Sequence, residues 1–219
     1  MIDIRRVIGI PILVAFLNLG FLFFYPEVFF SYTTALTVIL FEGFIIIDIT
    51  IRPISTKEDQ YRRSRVFNSI LFLSMPILIV TPLLEKDYLT ILYLGTQELS
   101  LMTYLGVVVL LLGGVILLLS RYYLGHFGGP RIVIEDDHQL VTRGPYQHIR
   151  HPIYLGMLLL FIGYLVSLGG VLVSIGWTII LFFILRERIN QEEDLLKSQF
   201  GDEYDAYIAR TSRLIPYLY

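Results

Sequence analysis

Apolar runs of membrane-crossing length constrain this chain more than any motif in it. A helix needs about 18 to 20 such residues to cross a ~30 Å hydrocarbon layer. Inside that layer the backbone must satisfy its own hydrogen bonds, so an open-ended segment there has to be helical. Six segments of this kind are expected, at about 7–24, 29–51, 66–84, 99–120, 153–167 and 171–185. The composition agrees, with 55% of the 219 residues hydrophobic and only 16% charged. The expected fold class is all-α: a polytopic membrane protein of about six transmembrane helices, forming one integral membrane domain over 1–219. Cysteine is absent, which excludes disulfides, thiolate catalysis and cysteine metal sites.

Charge placement orients these spans. Of the 17 Lys and Arg residues, only Lys86 falls in a connection on the far side; the others alternate onto one face. The positive-inside rule makes that face cytoplasmic, with both termini on it. The run 153–185 could be one tilted helix or a tight hairpin. A single crossing would put Arg143 and Arg150 opposite Arg186, Arg188, Arg210 and Arg213, so a break is expected at Ser167-Leu168-Gly169-Gly170. The first span is not read as a signal peptide, because no small-residue cleavage site follows it and the aromatic run FLFFYPEVFF suits an interfacial belt.

Two cytoplasmic segments are long enough for chemistry, 121–152 and 186–219. In the first, IVIEDDHQLV is expected to form a short extended pair around an acidic turn. GHFGGP lacks the strand–helix context of a dinucleotide fingerprint, and its glycines suit a sharp turn. His126, His138, His148 and His151 do not place three ligands on one element, and no metal is expected. The stretch RGPYQHIRHPIY, at 143–154, crowds cations directly against the fifth span. In the second segment a helix continues from the sixth span and is expected to stop near Gly201. On it Arg188 and Glu192 stand one turn apart, while Arg186 and Glu193, seven apart, share a face. A hairpin returns Arg188 to the membrane surface beside His151, so two clusters of charge converge at one depth. Glu42 falls midway along the second span, where an ionisable group is expensive. Asp48, nearer its cytoplasmic end, is expected to reach the interface.

In order along the chain stand H-x-L-V-T-x-G-x-Y at 138–146, R-H-P-x-Y-x-G at 150–156, R-x-R at 186–188, E-E at 192–193, F-G-x-E-Y at 200–204 and a late proline, Pro216. Over roughly the last hundred residues this ordered set resembles the isoprenylcysteine carboxyl methyltransferase family. The earlier residues are similar to it only as generic membrane spans. The resemblance implies a methyltransferase core over 99–219, behind N-terminal spans in 1–98, with a cytoplasmic cofactor-binding loop and tail. It implies methyl transfer from S-adenosylmethionine to the carboxylate of a lipophilic, prenylcysteine-like substrate, giving a methyl ester at the cytoplasmic membrane face.

By the same resemblance, Arg131, His138, Gln139, Leu140, Val141, Tyr146, His151, Pro152, Ile153, Tyr154 and Glu192 would enclose the cofactor. Arg188 would be the catalytic residue, binding the substrate carboxylate by a two-pronged contact, with Arg186 and Glu193 beside it on the substrate side. Asn190 and Gln191 depart from the family in places where acids are expected, and Arg131 stands where a polar amide is expected. Partners are a lipophilic substrate and membrane lipids, with no nucleic acid. The membrane is the cell membrane of a prokaryote or the endoplasmic reticulum of a eukaryote. R-H-P-x-Y is shared more loosely with phospholipid methyltransferases and membrane steroid reductases. The alternatives are therefore a phospholipid (ethanolamine) N-methyltransferase, an NADPH-dependent reductase-like enzyme and a non-enzymatic lipid-binding protein.

Overall fold

The computed structural model describes residues 19, 32–51, 81, 85, 96–125 and 139–215, with side chains from 101 onward in the segment that begins at 96. Among the described residues the architecture is all-helical. The helices are α1 (Tyr32–Ile51), α2 (Thr96–Leu124), α3 (Pro152–Ser167), α4 (Val171–Phe200) and α5 (Asp202–Arg210), with a 3-10 turn at Gly144–Gln147. Two of the described helices, Tyr32–Ile51 and Leu101–Leu124, are long and apolar enough to cross a membrane. The expected spans at 7–24 and 66–84, and nearly all of the extended pair at 132–141, lie outside the described residues.

The seam between α2 and α3 is built on glycine. A Cβ added at Gly113 would stand 2.3 Å from the Leu160 backbone nitrogen, and one at Gly156 would stand 2.6 Å from that of Leu117. Gly106 and Gly163 repeat the pattern toward the other end, against Ser167 and Leu110. On each helix these glycines are seven residues apart, which keeps them on one face through two turns. The two backbones therefore touch, as small residues permit where lipid is as apolar as leucine and only close packing can favour helix contact. Leu110, Leu117, Leu160 and Leu165 are wholly buried along this seam. From α1, Phe41 stacks on Tyr164, ring centroids 4.1 Å apart, and meets Phe161 edge-on at 5.3 Å.

The hairpin turn falls where charge parity requires it. Gly169 adopts φ +90°, Gly170 N–H donates to Leu165 O, and Gly169 N–H donates to Val166 O, both at 2.9 Å. This is a Schellman closure, which needs a residue free to take positive φ. The first turn of α4 then finds its acceptor far away in sequence: the Glu85 carboxylate accepts from Leu172 N–H at 2.5 Å and Val173 N–H at 2.7 Å.

At 30 residues, or ~45 Å, α4 is longer than a ~30 Å hydrocarbon layer is thick. It ends at Phe200, beside the glycine where a stop was expected. The sequence reading did not anticipate α5, which follows at once. Beyond α5 the chain runs back as a strap, 211–215, beside 148–151. Ile149 and Ser212 form an isolated parallel bridge, with Arg150 N–H to Ser212 O at 2.8 Å, His151 N–H to Arg213 O at 3.1 Å and Ser212 N–H to His148 O at 3.0 Å.

Asp48 does not reach the interface. It is 1% exposed and accepts a hydrogen bond at 2.6 Å from Nε of Arg121, which is 8% exposed. The expectation failed because a carboxylate reaches for solvent only when no cation is nearer, and α2 brings one from 73 residues away.

Candidate active site

The start of α3 and the outer part of α4 meet at one end of the hairpin. Pro152 occupies the first turn of α3, where a missing N–H costs nothing, and His151 is the residue before it. Tyr154 lies one turn in, facing α4. Arg188 and Glu192, one turn apart on α4, close on its hydroxyl from either side. Arg188 Nε donates to Tyr154 Oη at 2.8 Å, and Tyr154 Oη donates to Glu192 Oε2 at 2.7 Å. The Arg188 guanidinium carbon lies 6.0 Å from the centre of the Tyr154 ring, within cation–π range. The two charged groups are thus joined through a phenol, which holds each at a set distance from the other.

His151 completes this face. Its ring stacks on Tyr154, centroids 5.7 Å apart and planes 24° off parallel. Nδ1 is 3.9 Å from Glu192 Oε2, and Nε2 is 3.2 Å from Glu193 Oε1. Glu193 is the centre of a second cluster. Arg150 Nε donates to Oε1 at 3.0 Å, while Arg213 donates to Oε2 through Nε at 2.9 Å and again through a terminal nitrogen. Arg213 also reaches Asn190 Oδ1 at 2.8 Å. Arg150 ties down the end of α5 through the carbonyl of Ile208, at 3.3 Å, and the strap through that of Thr211. Burial pushes the Glu193 carboxyl up, but the bonds from His151, Arg213 and Arg150 outweigh it and hold the pKa at about 2. Glu193 is therefore ionised and can only accept, so the proton on the His151–Glu193 bond belongs to Nε2.

Beneath the loop sits Tyr146, on the 3-10 turn. Its carbonyl accepts from Tyr207 Oη at 2.7 Å. Its own hydroxyl is buried without a hydrogen-bond partner, as is that of Tyr204. Burial, and next the Glu192 charge, raise the Tyr146 phenol well above its ordinary value. An orphaned buried hydroxyl calls for an explanation, and an absent ligand is one.

The structure brings Tyr146, His151, Tyr154, Arg188, Glu192 and Glu193 to one end of the hairpin. Pro152 and Ile153 are buried beside them, Ile153 in the apolar core. Gln139, Leu140 and Val141 lead without regular structure toward the 3-10 turn, and Arg186 is exposed on α4. Arg131, His138 and Pro216 lie outside the described residues. Glu193, expected on the substrate side, spends its carboxylate on Arg150, His151 and Arg213. Sequence reasoning missed Arg213 as a member of this cluster. No local signal marks it, because its acid is 20 residues away on another helix.

Residues 104–198 match the family described as the isoprenylcysteine carboxyl methyltransferase (ICMT) family. A probable protein-S-isoprenylcysteine O-methyltransferase of Oryza sativa subsp. indica is 31% identical over 160 residues, covering 72% of this chain and 84% of that protein. The protein-S-isoprenylcysteine O-methyltransferase of Schizosaccharomyces pombe is 35% identical over 82 residues, covering 37% of this chain and 35% of that one. Among solved structures, the eukaryotic intramembrane Ras methyltransferase ICMT is similar in fold, with a TM-score of 0.58 and 22% identity over 97% of this chain and 86% of that one.

Proposed function

Because the chain belongs to the isoprenylcysteine carboxyl methyltransferase family, we propose that it transfers a methyl group from S-adenosylmethionine to the carboxylate of a lipophilic, prenylcysteine-like substrate. The product is a methyl ester, made at the cytoplasmic face of the membrane. The observation that carries this reading is the chain Arg188–Tyr154–Glu192, set where the apolar part of the hairpin gives way to its charged end. A cation and an anion held apart by a phenol suit one anionic reactant and one cationic one.

The donor set fits the cofactor. Glu192 is 29% exposed, and only Oε2 is engaged among the described residues, so its other oxygen can accept from an ammonium or ribose hydroxyls or face a sulfonium. The buried Tyr146 hydroxyl is a further donor in want of an acceptor. When bound, S-adenosylmethionine supplies an electrophilic methyl group on a good leaving sulfur. Arg188 presents a fork that matches a carboxylate, and its bond to Tyr154 sets the plane of that fork. No base is needed, since a carboxylate with pKa near ~4 is already ionised at neutral pH. Glu193 is too occupied to serve as one. The rate rests on alignment and on exclusion of water, to which the buried Pro152, Ile153 and Tyr146 contribute.

Methyl-labelled cofactor and a farnesylated cysteine should give label that mild alkali releases as methanol. Label that survives alkali would instead mean methylation of an amine and favour the phospholipid alternative. His151→Ala and Glu192→Ala should weaken cofactor binding, and added S-adenosylmethionine should raise the melting temperature while NADPH does not. The proposed topology is six spans with both termini and the site cytoplasmic. With no native cysteine to interfere, Glu203→Cys should react with an impermeant thiol reagent only from the cytoplasmic side. Labelling of that position from outside would reverse the orientation.

A further inference from the structure

Arg213 binds Glu193, and so decides what Glu193 can do. Both Glu193 oxygens are engaged: Oε1 by Arg150 and His151, Oε2 by Arg213. Held thus through both oxygens, the carboxylate is fixed and cannot turn freely about its terminal bond. Oε1 is thereby held 3.2 Å from His151 Nε2. That bond in turn leaves the Nδ1 edge of the ring turned to the side of Glu192. The backbone repeats the arrangement: His151 N–H donates to the carbonyl of Arg213 itself, and both neighbouring bonds join the strap to 148–150. One residue therefore anchors the His151 main chain directly and its ring at second hand.

We propose that Arg213 is a positioning residue of the methyl-transfer site, and that the strap 211–215 belongs to that site as much as the hairpin does. Through Glu193 it sets the ring plane of His151 and keeps a proton on Nε2, so that the Nδ1 edge faces the cofactor. The inference rests on the proposed reading of His151 and Glu192 as cofactor-binding, and predicts an effect on the cofactor and not on the prenylated acceptor.

The test uses the full chain in detergent or proteoliposomes, with S-adenosylmethionine affinity measured by titration calorimetry alongside steady-state kinetics. In Arg213→Gln, cofactor Kd and KM should rise roughly tenfold or more, the scale on which outer partners of site residues act, while the KM for a farnesylcysteine acceptor stays within about twofold. Arg213→Lys should recover little, since a point charge cannot restore the fork. Nitrogen-15 spectra of labelled histidine should show one protonated Nε2 environment for His151 in the wild type and a mixture in Arg213→Gln. Should Arg213→Gln not fold, Ser212→Pro, which removes the strap's N–H bond to His148 O, should give the same cofactor-selective defect. A merely structural clamp predicts lower thermal stability with unchanged cofactor Kd in every folded variant, and that result would overturn the proposal. If the wild type itself binds no S-adenosylmethionine, it is the proposed function that fails; if it binds and Arg213→Gln binds equally well, only the role of Arg213 fails.

Discussion

Where α2 meets α3, closeness comes from glycine: four positions without side chains let two backbones touch. Where α3 meets the outer part of α4 and the strap, closeness comes from charge, with three arginines, a histidine and two carboxylates interlocked. The two regions share α3, so a single helix is held by shape along one length and by ions at one end. The difference follows from solvent. Lipid offers no hydrophobic gain for bringing helices together, so contact there depends on van der Waals fit. At the charged end water competes for every group, and only networked pairs of good geometry persist.

The sharpest challenge to this division is the Asp48–Arg121 pair, an ionic contact buried between α1 and α2. Asp48→Asn should destabilise the protein by about 3 to 5 kcal/mol, because it breaks a buried ion pair by removing one partner; thermal melting in detergent measures it. A loss under about 1 kcal/mol would mean that charge matters as little there as on a surface. Next comes Arg188→Ala, which should lower turnover roughly 10²- to 10³-fold, as removal of a charge-stabilising donor does elsewhere, while cofactor affinity and melting temperature hold. At the seam, Gly113→Ala should destabilise by about 1 to 3 kcal/mol through overpacking, since its Cβ meets backbone and no flexible side chain can yield. Catalysis per folded molecule should be unchanged.

The smallest effect concerns acid. Glu193 has its pKa lowered from 4.5 to about 2, so its contribution to stability is fully present above about pH 4.5 and is lost as pH falls toward 2. Limited proteolysis of the strap should therefore accelerate across that window. The glycine seam has no titrating group to respond with, and parallel loss of α2–α3 contact in the same window would collapse the distinction between the regions.

The membrane sector was the more legible of the two. Helices near 29–51 and 99–120 follow from apolar run length alone, and the division of 153–185 into two helices with a turn at 168–170 follows from where the cations must lie. The meeting of Arg188 and Glu192 with the start of α3 was legible for the same reason, as a hairpin returns its ends to one depth. Asp48 and Arg213 were not, because each finds its partner across tens of residues and no periodicity encodes such a pairing. Glu193 was legible as a member of the cluster but not in its orientation: helix spacing says which face a residue shares, and the choice among Arg186, Arg150 and Arg213 depends on where the other helix and the strap arrive. Helix α5 escaped notice because its nine residues are too few to show a convincing period.

The carboxylate of Glu85 bears on how such a chain is put together during synthesis. It caps α4 from 87 residues earlier in sequence, at the end of the helix opposite to the charged cluster. In the proposed six-span topology, this acceptor is delivered to its side of the membrane before the ribosome has made the α3–α4 hairpin. In that topology the hairpin crosses with an apolar turn of leucine and glycine, carrying no acid of its own, and finds its capping group waiting. Order of translation thus substitutes for a local N-cap. A circular permutant that makes residue 85 after α4 should insert its hairpin poorly, even though every contact of the finished structure remains possible.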